Sequence, residues 1–449
     1  MVRLTIFILS LIMIINQTDA LSKEKKKSNK IFPYKTYTET LQNGLKVIMI
    51  PMPSDGLVSY YSIVRTGSRD EYEPGHSGFA HFFEHMMFRG TKKYPGNVYD
   101  KLVISMGADA NAYTTDDYTC YHLSITKDNL EKVMELESDR FQNLFYEEPA
   151  FKTESGAVYG EYRKGKTSPF FWIWEKLLSS AFTKHTYKHT TIGFEEDIKA
   201  MPTMYDYSIS FFNRYYRPEN VVLLIVGDIN PKEVMPLVKN YYAEWKKGYV
   251  PPKIETEPKQ TAEIVSEVIY PGKSLPILSI AYKGSAYNPG DKEVLSAMLL
   301  GELAFGENSA LYKKLYINEQ KVQFLEPQFR QNRDPFLWIV WAMVNDEKDL
   351  DYVKSEILAT AEYYKNNLVP KTELENLKKR IKYMYLMNLD TPSKVAGNLA
   401  REIAITTSVE SVDIYFATLE KITPEDIQKA AKKYFNAEQR TIVTLKGSM

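Results

Sequence analysis

One cysteine, Cys120, stands in 449 residues, so no disulfide can form within the chain. Histidine is nearly as scarce, with six residues. No sign of charge predominates: Lys+Arg and Asp+Glu balance at 57 each, which removes the basic footprint that nucleic-acid binding requires. No apolar run reaches the ~20 residues that a membrane-crossing helix needs. Tyrosine is abundant, 33 residues, but scattered, as in cores and surfaces rather than in a stacking platform. What remains is a globular composition, 44 % hydrophobic and 25 % charged, on a chain too long for one ordinary core.

The first twenty residues differ from the rest. Arg3 gives a positive start, residues 4–15 are apolar apart from Thr5 and Ser10, and the polar residues 16–19 lead to Ala20. This three-part pattern predicts a secretory signal peptide over 1–20, cut after Ala20, although Thr18 is larger than the residue usual at that position. Residues 21–35 form a lysine-rich lead-in. The expectation is an exported protein, periplasmic or secreted, with no stable membrane span.

Beyond the lead-in, alternating runs around Asn43-Gly44 predict a hairpin over 37–50. A strand over 58–65 follows, then a helix over 77–89 with Ser77 as N-cap and Gly90 as its stop. A second helix is expected over 98–106, two strands over 108–126 around the turn Thr115-Asp116-Asp117, and long helices over 127–144 and 147–163. An apolar strand covers 221–226. The polar stretch 249–262, with Pro251, Pro252 and Pro258, reads as a linker. Strands restart at 264–270 and 277–282. The two halves end alike. Met201-Pro202-Thr203, a helix and the strand 221–226 are matched by Ile422-Thr423-Pro424, a helix and a strand over 441–445. The spacing is about 220 residues, which suggests two copies of one α+β domain.

The sharpest chemical signal is His81-Phe82-Phe83-Glu84-His85. Residues four apart share a helix face, so His81 and His85 can aim both imidazoles at one metal. Glu84 lies beside that face, placed to take a proton from the attacking water. Zinc suits two imidazoles and a carboxylate, and a catalytic zinc site keeps one position open. The order His-x-x-Glu-His is the inverted zincin motif. The apolar flanks Phe79, Phe82, Phe83, Met86 and Phe88 bury this helix at least in part, and a buried carboxylate between two histidines needs a cation. A third ligand must come from elsewhere. Glu154 and Glu161, seven apart on a later helix, share a face, and periodicity does not choose between them. The other histidines, His76, His122, His185 and His189, read as structural.

Several stretches together resemble the pitrilysin family of zinc peptidases. They are Thr66-Gly67-Ser68-Arg69-Asp70-Glu71, Gly75, the His81–His85 motif with Gly90-Thr91, Asn111-Ala112-Tyr113-Thr114, Glu154 with Glu161-Tyr162-Arg163, His185 with Thr191-Ile192-Gly193, and Tyr216-Arg217-Pro218-Glu219-Asn220 with Gly227-Asp228. The resemblance covers most of 36–250 strongly and 260–449 more weakly. It implies an α+β fold of two similar domains, each an antiparallel-rich sheet with helices on one face: a zinc-binding catalytic domain over 36–248 and a second, metal-free domain over 263–449. It implies a zinc metalloendopeptidase acting on peptides or unfolded polypeptides, with one Zn2+ per chain. By the same resemblance Glu161 is the third ligand, Glu154 a carboxylate behind it, and Asn111 and Ala112 bind substrate as an added strand.

The family also includes assembly or scaffold subunits that no longer cleave and usually lack part of the zinc set, which is intact here. Its active members or their partner subunits carry an arginine and a tyrosine seven residues apart in the metal-free half. The matching positions here hold Tyr316 and Gln323. Fused members contain four such domains. The implied assembly is a heterodimer with a homologous non-zinc subunit that supplies the pair, or a homodimer using other donors such as Arg330.

Overall fold

The turn at Asn43-Gly44 forms as expected, with Gly44 at φ 94°, a left-handed conformation that glycine adopts without a Cβ clash. The computed structural model describes residues 30–448, so the expected signal peptide and residues 21–29 lie outside the described residues. In the first half, strands β1 (Tyr37–Thr40), β2 (Lys46–Pro51) and β3 (Leu57–Val64) lead to helices α1 (Phe79–Met86) and α2 (Gly96–Ser105). Strands β4 (Asp109–Thr114) and β5 (Thr119–Thr126) follow, then α3 (Leu130–Asn143), α4 (Glu148–Gly165), α5 (Pro169–Ala181), α6 (Glu195–Ala200) and α7 (Tyr205–Tyr215). Strand β6 (Val221–Gly227) and α8 (Pro231–Tyr242) close this half.

The second half repeats the plan. Strands β7 (Ile264–Tyr270) and β8 (Ile277–Lys283) lead to α9 (Lys292–Phe305), β9 (Val322–Phe329) and β10 (Leu337–Val344). Helices α10 (Leu350–Asn366), α11 (Lys371–Met387), α12 (Pro392–Thr406), α13 (Glu410–Glu420) and α14 (Pro424–Tyr434) precede β11 (Arg440–Gly447). The sheet orders are β1-β2-β6-β3-β5-β4 in one and β7-β11-β8-β10-β9 in the other; the five strands from β2 to β4 match β7 to β9 in order, and β1 is an added edge strand of the first sheet. In each, one pair is parallel, β2 with β6 and β7 with β11, and the rest are antiparallel. The similarity of the two chain ends therefore extends to a shared five-stranded sheet in both halves. The fold is α+β with two domains.

The central strands β3, β6, β8 and β10 are buried along nearly their whole length, so both sheet faces are covered. On one face of the first sheet, Val58, Tyr60, Val64, Leu223 and Ile225 pack with Phe79, Phe82 and Phe83 of α1. The opposite face, with Ile63 and Leu224 fully buried, is closed by α12 from the second half. The exchange is mutual. Ile173, Leu177, Leu178 and Ala181 of α5 form one core with Ile277, Ala281, Ile339, Val443 and Leu445 of the second sheet. Each half's own helices lie on one face, and the other half supplies the cover for the second. Each fully buried leucine of this kind contributes about 1.5–3 kcal/mol.

One local expectation fails. Ser77 is not the N-cap of the motif helix. Gly78 is, at φ 93°, and no side chain of its own caps the helix. The capping carboxylate is Glu71, which accepts from Gly78 N at 2.7 Å and Ala80 N at 2.6 Å. Ser77 turns away and donates to Asp197 at 2.6 Å.

Candidate metal centre

α1 presents its two histidines on one side because they are one helical turn apart. α4 crosses it and brings Glu161 opposite. Glu161 Oε2 lies 3.5 Å from His81 Nε2 and 3.6 Å from His85 Nε2, and all three donor atoms lie within 4.8 Å of one another. Bonds of 2.0–2.2 Å at tetrahedral angles place neighbouring donors about 3.3 Å apart, so two imidazoles and a carboxylate at this spacing fit a zinc-sized cation. Among the described residues no other group of three or more potential ligands converges.

The protonation states suit the same purpose. Burial, and then the neighbouring His85, push the His81 imidazole down to about 4, so at neutral pH it is uncharged and holds a lone pair. His85 Nδ1 lies 2.8 Å from Glu154 Oε1. A carboxylate accepts, so Nδ1 carries the proton and Nε2 offers its lone pair toward Glu161. Glu154 is held in turn by the Arg89 guanidinium on its other oxygen. Its side chain is 7 % exposed, against 49 % for Glu161.

Glu84 is half-buried beside the triad. Burial raises its carboxyl above the usual range, opposed mainly by a hydrogen bond from Thr114 Oγ1 at 2.6 Å. Thr114 ends β4, which is an edge strand. On that strand Asn111 is exposed and Ala112 buried, and the Ala112 N–H is taken by Asn111 Oδ1 at 2.9 Å. The two expected substrate-binding residues thus sit on the outer sheet edge that continues into Thr114 and its hydrogen bond to Glu84.

The remaining histidines have other occupations. His76 lies tilted against Tyr207 with ring centres 4.0 Å apart, and His122 stacks on Tyr61 at 5.0 Å. His185 binds Asp334 at 3.0 Å, and His189 is buried 3.8 Å from Glu71. In the metal-free half, Tyr316 is exposed and stacked on Tyr312 at 4.8 Å, and Gln323 is exposed on the edge strand β9. Arg330 is engaged by Asp116 at 2.9 Å. Sequence reasoning gave no role to Arg89 or Thr114. Arg89 lies four residues beyond His85, one helical turn, which is the signal that a cation could reach the carboxylate behind that histidine. Thr114 was visible only as the last residue of a recognised stretch.

Residues 46–194 match the family model described as insulinase, peptidase family M16, and residues 205–381 match that described as the peptidase M16 inactive domain. Zinc protease PqqE of Helicobacter pylori is 30 % identical over 414 residues, covering 91 % of this chain and 92 % of that protein. The chain belongs to peptidase family M16. The pitrilysin-type resemblance is thereby borne out across both halves. Another relative, the beta subunit of the mitochondrial-processing peptidase of Dictyostelium discoideum, is 25 % identical over 415 residues, covering 90 % of this chain and 86 % of that one. The crystal structure of a protease from Helicobacter pylori superimposes with a TM-score of 0.86 at 28 % identity, over 92 % of this chain and 99 % of that one. The peptidase model covers the stretch bearing His81, Glu84, His85 and Glu161, and the inactive-domain model begins within the first half, at residue 205, and runs to residue 381 of the second. Among the described residues no helix is long and apolar enough to cross a membrane.

Proposed function

We propose that the chain is a zinc metalloendopeptidase in which His81, His85 and Glu161 hold one Zn2+ and Glu84 is the general base. The observation that carries this reading is the convergence of donor atoms from His81, His85 and Glu161 within 4.8 Å of one another, the two histidines standing on the helix that also carries Glu84. Zinc bound there would polarise the scissile carbonyl and acidify water. The protein's own residues supply the rest. An extended peptide pairs along the outer edge of β4 at Asn111 and Ala112, displacing the Asn111 side chain from the Ala112 N–H, so backbone bonds give affinity with modest demands on sequence. Glu84 takes the proton of the attacking water and passes it to the leaving amine. Glu154 and Arg89 hold the His85 ring in the tautomer that leaves Nε2 free.

The catalytic unit is residues 36–248, joined by 249–262 to the metal-free unit 263–449. The protein is exported, with its mature end near Leu21, on the signal-peptide pattern of residues 1–20; N-terminal sequencing that finds Met1 on the soluble protein overturns this. The active form is a heterodimer with a homologous non-zinc subunit, supported by the absence of the Arg/Tyr pair at Tyr316 and Gln323 and by similarity to a relative named as a subunit. A second reading, a non-cleaving assembly subunit, draws on that same relative, but the intact donor set favours cleavage. Zinc content measured together with hydrolysis of a quenched peptide separates them: metal with turnover supports the peptidase, metal with no turnover in any subunit combination supports the assembly role.

A further inference from the structure

The Thr114 hydroxyl has little choice of partner. Its Oγ1 lies 2.6 Å from Glu84 Oε2, and a carboxylate can only accept. The Thr119 hydroxyl donates to Thr66 O at 3.0 Å and approaches Thr114 Oγ1 at 3.4 Å. With the one Thr119 proton committed to Thr66 O, the 3.4 Å approach to Thr114 Oγ1 is a weak contact at most, and the Thr114 proton goes to Glu84. The Thr114 backbone N–H faces the same carboxylate.

The strand end that carries Thr114 is fixed from the metal-free half. The turn after it presents Asp116 to Arg330 at 2.9 Å and to Asn332 at 3.3 Å. Asp117 accepts from Arg333 N at 3.1 Å and from Tyr187 Oη at 2.7 Å. The Arg333 guanidinium also reaches Asp70 Oδ2 at 2.7 Å, and Asp70 precedes Glu71, the cap of the helix that carries Glu84. One loop, residues 330–334, thus ties together the two segments on which base and hydroxyl stand.

Resting on the reading of Glu84 as the base, we propose that Thr114 is a positioning residue that holds the Glu84 carboxylate in the orientation for proton transfer. A hydrogen bond to a charged group, once removed, costs enough to lower turnover about tenfold or more. Thr114→Val removes the hydroxyl at nearly constant volume, and Thr114→Ser restores it.

Three proteins, wild type, Thr114→Val and Thr114→Ser, are compared by zinc content, by kcat and KM on a quenched peptide, and by infrared spectra in the metal-stripped state, where the Glu84 carboxylate band is identified by its loss in Glu84→Gln. The expected result is a shifted Glu84 band and a kcat about tenfold lower in Thr114→Val, with zinc content and KM unchanged, and both properties restored in Thr114→Ser. An unmoved band in Thr114→Val, or Thr114→Ser as impaired as Thr114→Val, overturns the proposal. If wild type cleaves nothing in any subunit combination, the peptidase reading fails while the infrared comparison still decides whether Thr114 orients Glu84.

Discussion

His85 and Glu154 are joined Nδ1 to Oε1 at 2.8 Å, and the Arg89 guanidinium occupies the other Glu154 oxygen. This separates the roles of two glutamates that helical periodicity treats alike. Glu154 faces the back of an imidazole; Glu161 faces the point where both Nε2 atoms converge. Glu161→Gln is expected to lose zinc outright. Glu154→Gln, which leaves the donors in place but frees the ring, is expected to weaken affinity by about 10–100-fold. Zinc titration of both variants checks the order. If Glu154→Gln is the one that loses metal outright, the two assignments are reversed.

The mutual exchange of α5 and α12 predicts that the halves unfold as one. Leu177 belongs to the first half by sequence and to the second sheet by packing. Leu177→Ala should cost about 2–5 kcal/mol and shift a single unfolding transition. Calorimetry showing two transitions, with only the one assigned to residues 36–248 displaced, contradicts that packing.

Lys283 gives the crossing helix a pH dependence. Its ammonium donates to Ala181 O at the end of α5 and lies over the Phe182 ring. Burial lowers its pKa to about 8, against 10.5 for the free group. Between those values the unfolded chain holds a proton that the folded one has released. Stability therefore rises with pH from about 8 toward 10.5, and the penalty of the buried charge is in full force below about 8. Lys283→Met should flatten that rise. An unchanged slope in denaturant unfolding across this window assigns it to other groups.

The sequence located the motif because two imidazoles and a carboxylate at helical spacing leave few alternative readings. It could not settle the cap of α1. Ser77 has the right chemistry and position, but Glu71, reaching in from a separate loop, wins through a tertiary contact. Nor could it assign the cover of each sheet. The apolar face of α5 says that the helix is buried, and nothing in its spacing says that the sheet beneath it is built from residues 264–447. The third ligand was a matter of which glutamate meets which nitrogen, a relation between α4 and α1 that neither segment encodes alone.

The positions expected to hold an arginine and a tyrosine carry Tyr316 and Gln323, both exposed, and Arg330 is paired with Asp116. The lone chain should turn over slowly, since one missing oxyanion donor costs roughly 3 kcal/mol. Adding a homologous subunit that carries the pair should raise kcat by about two orders of magnitude. Full turnover as a monomer or homodimer, unaltered by that subunit, contradicts the assembly proposed.

The most direct measurement is zinc content and peptide hydrolysis in Glu84→Gln beside wild type, assayed with the partner subunit present. Glu84 stands beside the donor triad and not within it. The account predicts one zinc per chain in both proteins and hydrolysis lost only in the variant. Undiminished hydrolysis in Glu84→Gln would contradict its role as the base, and loss of zinc from the variant would place Glu84 among the ligands.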